Sequence, residues 1–152
     1  MLRQGLETHK LIRERPVPPD TRPAAAVLVV EDDREQRETL CAMLDFEGFG
    51  HSEAANGREA LDYLEKSRAP CVVLLDLEMP VMNGWDFRAK QLADERLARI
   101  PVVVVTANDV GVRDRFPGVA GFLWKPLKFE KLAAVLDQVC RRRKTTTTLA
   151  IA

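Results

Sequence analysis

Residues 72–84 read VVLLDLEMPVMNG. Four apolar residues run directly into a carboxylate, Asp76, and Met79-Pro80 and Gly84 follow. A short unbroken apolar run is the pattern of a strand buried on both faces, as in a parallel sheet covered by helices on either side. A charge at the end of such a strand is costly unless it is solvated, paired or bound to a metal. The stretch therefore predicts an architecture and a site together.

Working outward, the same signal recurs. AVLVV (26–30) and IPVVVVT (100–106) are further apolar strands, GFLW (121–124) is another, and HSEAA (51–55) is a weak, short one. Helix signals alternate with them. Asp33 with Gln36, and Asn56 with Glu59, form capping-box patterns that open two helices. The first carries Leu40, Met43 and Leu44 on one face and stops near Gly48; the second carries Leu61 and Leu64. A third helix begins after Gly84, with Trp85, Ala89, Leu92 and Ala93 spaced for burial. A last one, about 128–142, buries Phe129, Leu132, Val135, Leu136 and Val139. This (βα)5 alternation predicts an α/β fold, a doubly wound five-stranded parallel sheet with helices on both faces. The fourth helix belongs in NDVGVRDRFPGVAG (108–121), where Gly111, Pro117 and Gly118 predict a short or irregular one.

The chain has 152 residues, 46% apolar and 30% charged, which suits one soluble globular domain. RPVPPDTRPAAA (15–26) reads as a linker. The expected organisation is an N-terminal extension over 1–25, a folded domain over 26–142 and a flexible tail over 143–152. No apolar run is long enough to cross a bilayer, and the N-terminus lacks the apolar segment of a secretory signal, so a cytoplasmic protein is expected. Cys41, Cys71 and Cys140 are odd in number, widely spaced and without a neighbouring histidine, and are expected to be reduced thiols. The formal net charge of zero hides an asymmetry. Residues 1–26 carry +2, the RRRK run (141–144) carries +4, and the body between them carries −6. An acidic body argues against direct nucleic-acid binding by the domain, and the RRRK run reads as a solvated helix end favoured by the helix dipole.

In doubly wound sheets, sites form beyond the carboxyl ends of the strands. The residues there are chemically coherent. The first strand ends in Glu31-Asp32-Asp33, the third in Asp76, the fourth in Thr106 and the fifth in Lys125. Packed carboxylates raise one another's pKa unless a cation neutralises them. A hard, oxygen-rich site with few protein ligands suits Mg²⁺ shared with a phosphate. Lys125 offers an ammonium, Thr106 a hydroxyl, and a carboxylate such as Asp76 can itself accept a phosphoryl group.

VLVVEDD, VVLLDLEMPVMNGWD, PVVVVTA and FLWKP together resemble the response-regulator receiver domain of two-component signalling, including its single-domain, chemotaxis-regulator-like members. The resemblance covers roughly residues 26–142. It implies the flavodoxin-like receiver fold and a set of roles. Asp76 matches the phosphoacceptor, and Glu31 and Asp32 match the acidic pair that binds Mg²⁺. The Glu78 backbone carbonyl matches the third protein metal ligand. Glu31 stands where aspartate is more usual, and its extra length implies a metal contact through water. Thr106 matches the hydroxyl position at the phosphoryl group, and Lys125 matches the lysine that pairs with it. Phe122 matches the aromatic switch position, and Ala107 matches a small-residue position that leaves the phosphoryl group room. Pro80 and Gly84 match the turn residues that shape the loop. Trp124, beside the switch position, is a candidate partner anchor.

The implied partners are a histidine kinase or histidine phosphotransfer protein upstream and a protein target downstream, with no nucleic-acid or membrane contact. Such a chain would phosphorylate and dephosphorylate itself but turn over no independent substrate. Two other readings follow from the same residues. The first is a phosphorylation-independent interaction module, motivated by the altered 108–121 segment. The second is a terminal receiver of a hybrid kinase, behind the Pro-rich linker. A phosphohydrolase of the haloacid-dehalogenase type would need an aspartate at position 78, which is Glu78 here.

Overall fold

The computed structural model describes residues 26–107 and 111–141. The expected N-terminal extension and C-terminal tail lie outside the described residues, as do the side chains of the RRRK run. The elements are β1 (Ala26–Val30), α1 (Arg34–Phe46), β2 (Gly50–Ala54), α2 (Gly57–Lys66), β3 (Val72–Asp76), α3 (Gly84–Ala93), α4 (Glu95–Ala98), β4 (Val102–Thr106), α5 (Val112–Arg115), β5 (Gly121–Trp124) and α6 (Phe129–Leu136). A π-helical turn over Asp137–Arg141 prolongs α6.

The five strands form one parallel sheet in the order β2-β1-β3-β4-β5. The alternation of strand side chains divides the core in two. Leu28, Val30, Val73, Leu75, Val102 and Val104 face α2 and α3, packing with Leu61, Leu64 and Phe87. Val27, Val29, Val72, Leu74, Val103 and Val105 face α1 and α6, packing with Leu40, Leu44, Leu132 and Leu136. This is why β3 and β4 read as unbroken apolar runs: each is buried on both sides. The strand order reverses between β1 and β3. A cleft therefore opens at the carboxyl ends of these two strands, where neighbouring connections leave to opposite faces.

Both N-cap bonds of the expected capping boxes form. The Asp33 carboxylate accepts from the Gln36 amide at 2.9 Å, and Asn56 accepts from the Glu59 amide at 3.0 Å. The fourth helix of the alternation, here α5, has four residues and no side-chain cap, and begins at Gly111 with φ 68°. Buried Val112 and Phe116 seat it in the core.

Two expectations are corrected. The inner face of α3 is Gly84, Phe87, Arg88 and Gln91, whereas Ala89, Leu92 and Ala93 face outward and Trp85 is half-buried. The polar character of Arg88 and Gln91 disguised that face. They are tolerated because Arg88 donates to Gln91 at 2.8 Å, while Gln91 donates to the carbonyls of Leu97 and Ile100 at 2.9 and 3.0 Å. The second correction concerns the cysteines. Cys71, just before β3, and Cys140, in the π turn, form a disulfide with a Cα–Cα distance of 5.4 Å. Leu132, Leu136 and Cys140 recur every four residues along α6 and its extension, so they descend one face onto the sheet. Cys140 thereby arrives beside the first residue of the β3 run. Cys41 remains a free, buried thiol, pushed up to about 11 by burial and by the carboxylates of Glu53 and Asp45.

A crosslink between residues 69 apart in sequence constrains the unfolded chain strongly. Cys140→Ser is expected to lower stability by about 2–4 kcal/mol. Urea unfolding with and without a thiol reductant tests this: the reductant should destabilise the unsubstituted chain and leave the variant unchanged.

Candidate functional site

The cleft at the β1/β3 switch point has a volume of about 270 Å³. It is lined by Glu31, Asp32, Asp76, Glu78, Thr106 and Lys125, among others, so six of the residues singled out from the sequence converge there. Ala107 also lines it. Phe122 and Trp124 do not. They lie on β5, where the Thr106↔Trp124 strand register places Trp124 directly beside the cleft's hydroxyl residue.

Asp76 is the last residue of β3 and is buried with Glu31 and Thr106. Its position depends on the loop after it. The Gly84 amide donates to the Leu77 carbonyl at 2.9 Å, and the Gly57 amide donates to the Met82 carbonyl at 2.8 Å. A Cβ at position 84 would stand 2.5 Å from the Asp76 carbonyl oxygen. Glycine is required there because the start of α3 folds back against the strand end that carries the carboxylate.

Lys125 crosses from the end of β5. Its ammonium donates to Glu31 Oε1 at 2.6 Å and lies 3.5 Å from Asp76 Oδ1. The other Glu31 oxygen accepts from the Asp33 amide at 3.3 Å. Carboxylate oxygens of Glu31, Asp32 and Asp76 lie within 4.8 Å of one another.

The electrostatic result is uneven. Burial, followed by the neighbouring Glu31 charge, pushes the Asp76 carboxyl up to about 7, with Lys125 only partly opposing. Burial would also raise Glu31, but its hydrogen bonds with Lys125 and Asp76 and the Lys125 charge outweigh that and hold it below its ordinary value. Burial and the Glu31 charge raise Asp32. Desolvation acts to lower Lys125, and its carboxylate partners more than reverse this. One ammonium thus satisfies one of the three carboxyls well and leaves a deficit of positive charge at Asp76 and Asp32.

That deficit is the fit test for a divalent cation, and the site passes it. Converging oxygen donors, one of them exposed, with two carboxyls pushed upward by burial and by the Glu31 charge, are what Mg²⁺ relieves.

On the neighbouring surface, the Phe122 and Trp124 rings stack at 5.9 Å with an interplanar angle of 11°. The Arg113 guanidinium of α5 lies 5.0 Å from the first ring and 5.4 Å from the second. On the far side of α5, Arg115 sits 4.2 Å over Trp85, which packs against Phe116. The short helix is gripped by three arginine–aromatic contacts from two arginines. The sequence reading missed both, since neither arginine belongs to a motif.

Residues 27–137 match the model of the response regulator receiver domain. This chain belongs to that family. Members serve as phospho-acceptor domains in two-component phosphorelay signalling. Among curated relatives, the chain is 38% identical over 122 residues to the response regulator MprA of Mycolicibacterium vanbaalenii. It is 33% identical over 138 residues to the alkaline phosphatase synthesis transcriptional regulatory protein SphR of Synechococcus elongatus. These matches cover 76% and 83% of this chain, and the chain spans about half the length of each relative, 50% and 52%. Among solved structures, the chemotaxis protein CheY4 of Vibrio cholerae aligns with a TM-score of 0.70 at 30% identity, covering 76% of this chain and 98% of that one. The receiver domain of the sensor histidine kinase PA1611 from Pseudomonas aeruginosa, with a magnesium ion coordinated in its active site cleft, aligns with a TM-score of 0.69 at 26% identity, covering 76% and 96%. No helix among the described residues of this receiver is long and apolar enough to cross a membrane.

The raised Asp76 value has a thermodynamic consequence. Between about pH 4 and 7 the folded chain holds a proton that the unfolded chain has released, so Asp76 costs stability as pH rises and the cost is complete above 7. Asp76→Asn removes that dependence. Without divalent cations, the variant is expected to exceed the unsubstituted chain by about 4 kcal/mol at pH 8, the gap closing toward pH 4. Chemical denaturation across this range checks it; a gap independent of pH contradicts it.

Proposed function

We propose that this receiver accepts a phosphoryl group on Asp76 from a phosphohistidine of a partner kinase or phosphotransfer protein, and that the product alters binding to a downstream protein or passes the group onward. The observation that carries this reading is the convergence of Asp76 with Glu31, Asp32, Thr106 and Lys125 in one cleft of a receiver-family chain. A phosphorylation-independent interaction module would require no such convergence of mutually repelling groups.

An Asp76 carboxylate oxygen attacks the phosphorus, the phosphorus–nitrogen bond breaks, and the donor imidazole leaves with the bonding pair. Asp32, Asp76 and the Glu78 carbonyl would hold Mg²⁺, with Glu31 at longer range. When bound, the ion neutralises the carboxylates and the phosphoryl oxygens. Lys125 starts on Glu31 and is 3.5 Å from Asp76, so a small shift brings its ammonium to a phosphoryl oxygen. Thr106 donates its hydroxyl to another. The Thr106 carbonyl already accepts from the Lys125 amide at 2.9 Å, so the two residues move as a connected pair.

Displacement of Thr106 is felt first by its register partner Trp124, and through the stack by Phe122 and Arg113. This supports Phe122 as the switching aromatic and Trp124 as part of the partner surface. The four-residue α5 makes that surface smaller than a full helix would, without touching the chemistry.

Incubation with acetyl phosphate and Mg²⁺ tests the reading by intact mass. A gain of one phosphoryl group is expected in the unsubstituted chain, with none in Asp76→Asn and a gain at least tenfold slower for Lys125→Ala, as loss of a preorganised charge at the reacting group implies. An unmodified wild-type chain, or equal modification of Asp76→Asn, would refute it.

A further inference from the structure

Glu31 and Asp32 are adjacent, yet both serve one cleft. In an extended strand adjacent side chains point to opposite faces. The backbone must therefore leave the strand between them, and it does: β1 ends at Val30 and the chain bends at Asp32. Such a bend takes the carbonyls of residues 31 and 32 out of the ladder, and the half-buried Glu31 carbonyl needs a partner. The bend is also opposed by electrostatics, because it gathers carboxylates whose oxygens lie within 4.8 Å of one another.

Arg37, on the first turns of α1, answers both demands. Its Nη1 donates to the Glu31 carbonyl at 2.8 Å and to the Asp32 carbonyl at 3.4 Å. Its Nε donates to Glu53 Oε1 on β2 at 3.0 Å, and its side chain is only 18% exposed. The Glu31 amide, on the other side of the same peptide group pair, donates to the Ala54 carbonyl at 3.0 Å. The bend is thus held from the amide side by β2 and from the carbonyl side by a guanidinium that is itself anchored to β2. The fork geometry matters, since Nη1 and Nε must reach the carbonyls and Glu53 together.

We propose that Arg37 is a positioning residue for the cation site: through the Glu31 and Asp32 carbonyls and Glu53, it sets the bend that turns both acidic side chains into the cleft. The proposal rests on the reading of the cleft as a Mg²⁺ site. It touches neither the ion nor the phosphoryl group directly.

The test is a Mg²⁺ titration followed by backbone amide NMR shifts of the cleft residues, with no phosphodonor present. Arg37→Ala is expected to weaken Mg²⁺ binding about tenfold, as loss of an outer partner of a metal ligand does. Arg37→Lys, which keeps the charge but loses the fork, should fall between. Glu53→Gln, which keeps the carbonyl contacts and loosens the anchor, should cost about threefold on the same scale. A merely structural Arg37 would lower the unfolding temperature while leaving the Mg²⁺ constant within twofold in all three variants, and that result overturns the proposal. If Arg37→Ala does not fold, Arg37→Lys and Glu53→Gln decide in the same way. Absence of any Mg²⁺ response in the unsubstituted chain overturns the site reading and this inference together; a wild-type response that the variants share overturns the inference alone.

Discussion

Three carboxyls, two of them buried and one exposed, share a corner with one ammonium, and the rest of the structure is arranged around that imbalance. Lys125 commits its short contact to Glu31, which leaves Asp76 raised to about 7 and Asp32 raised as well. A cleft left in this condition is a receptor for positive charge and, once that is bound, for a phosphoryl group that needs the same neutralisation. The parallel sheet supplies the rigidity that keeps the groups together against their repulsion. Strands β1, β3, β4 and β5 deliver the components at the same edge, β1 two of them and the others one each, and β1 and β3 are packed on both faces. Gly84 lets the following helix close over the strand end, and Arg37 fixes the bend that aims Asp32.

The route from the cleft to the surface is short. Thr106 is paired in register with Trp124, Trp124 stacks on Phe122, and Arg113 lies over both rings. In the proposed switch, a movement at Thr106 would be passed to this half-buried aromatic pair. The four-residue α5 is seated by Val112 and Phe116, with Arg113 over the aromatic stack.

The fold and the cleft were legible because their signals are local or repeated. Both-face burial writes itself as runs such as VVLLD and VVVVT, and the caps at Asp33 and Asn56 sit where the helices begin. The site residues share one feature, a position at or just past the carboxyl end of a strand, so the topology collects them. What escaped depends on meetings between distant segments. Cys71 and Cys140 are 69 residues apart and neither lies in a motif. The inner face of α3 was hidden because Arg88 and Gln91 are polar and are paid for by contacts within and beyond the helix. Arg37 looked like an ordinary helix arginine, and its role rests on two backbone carbonyls whose exposure follows only from the bend.

The cleft is short of positive charge at Asp76, which Lys125 only partly supplies, until a cation is bound. The most direct measurement is the titration of the Asp76 side-chain carboxyl by carbon-13 NMR, without and with saturating Mg²⁺. A midpoint near 7 is expected without the ion. With Mg²⁺ a fall of at least about two units is expected. A midpoint near the ordinary aspartate value in the absence of metal, unmoved by Mg²⁺, would contradict this.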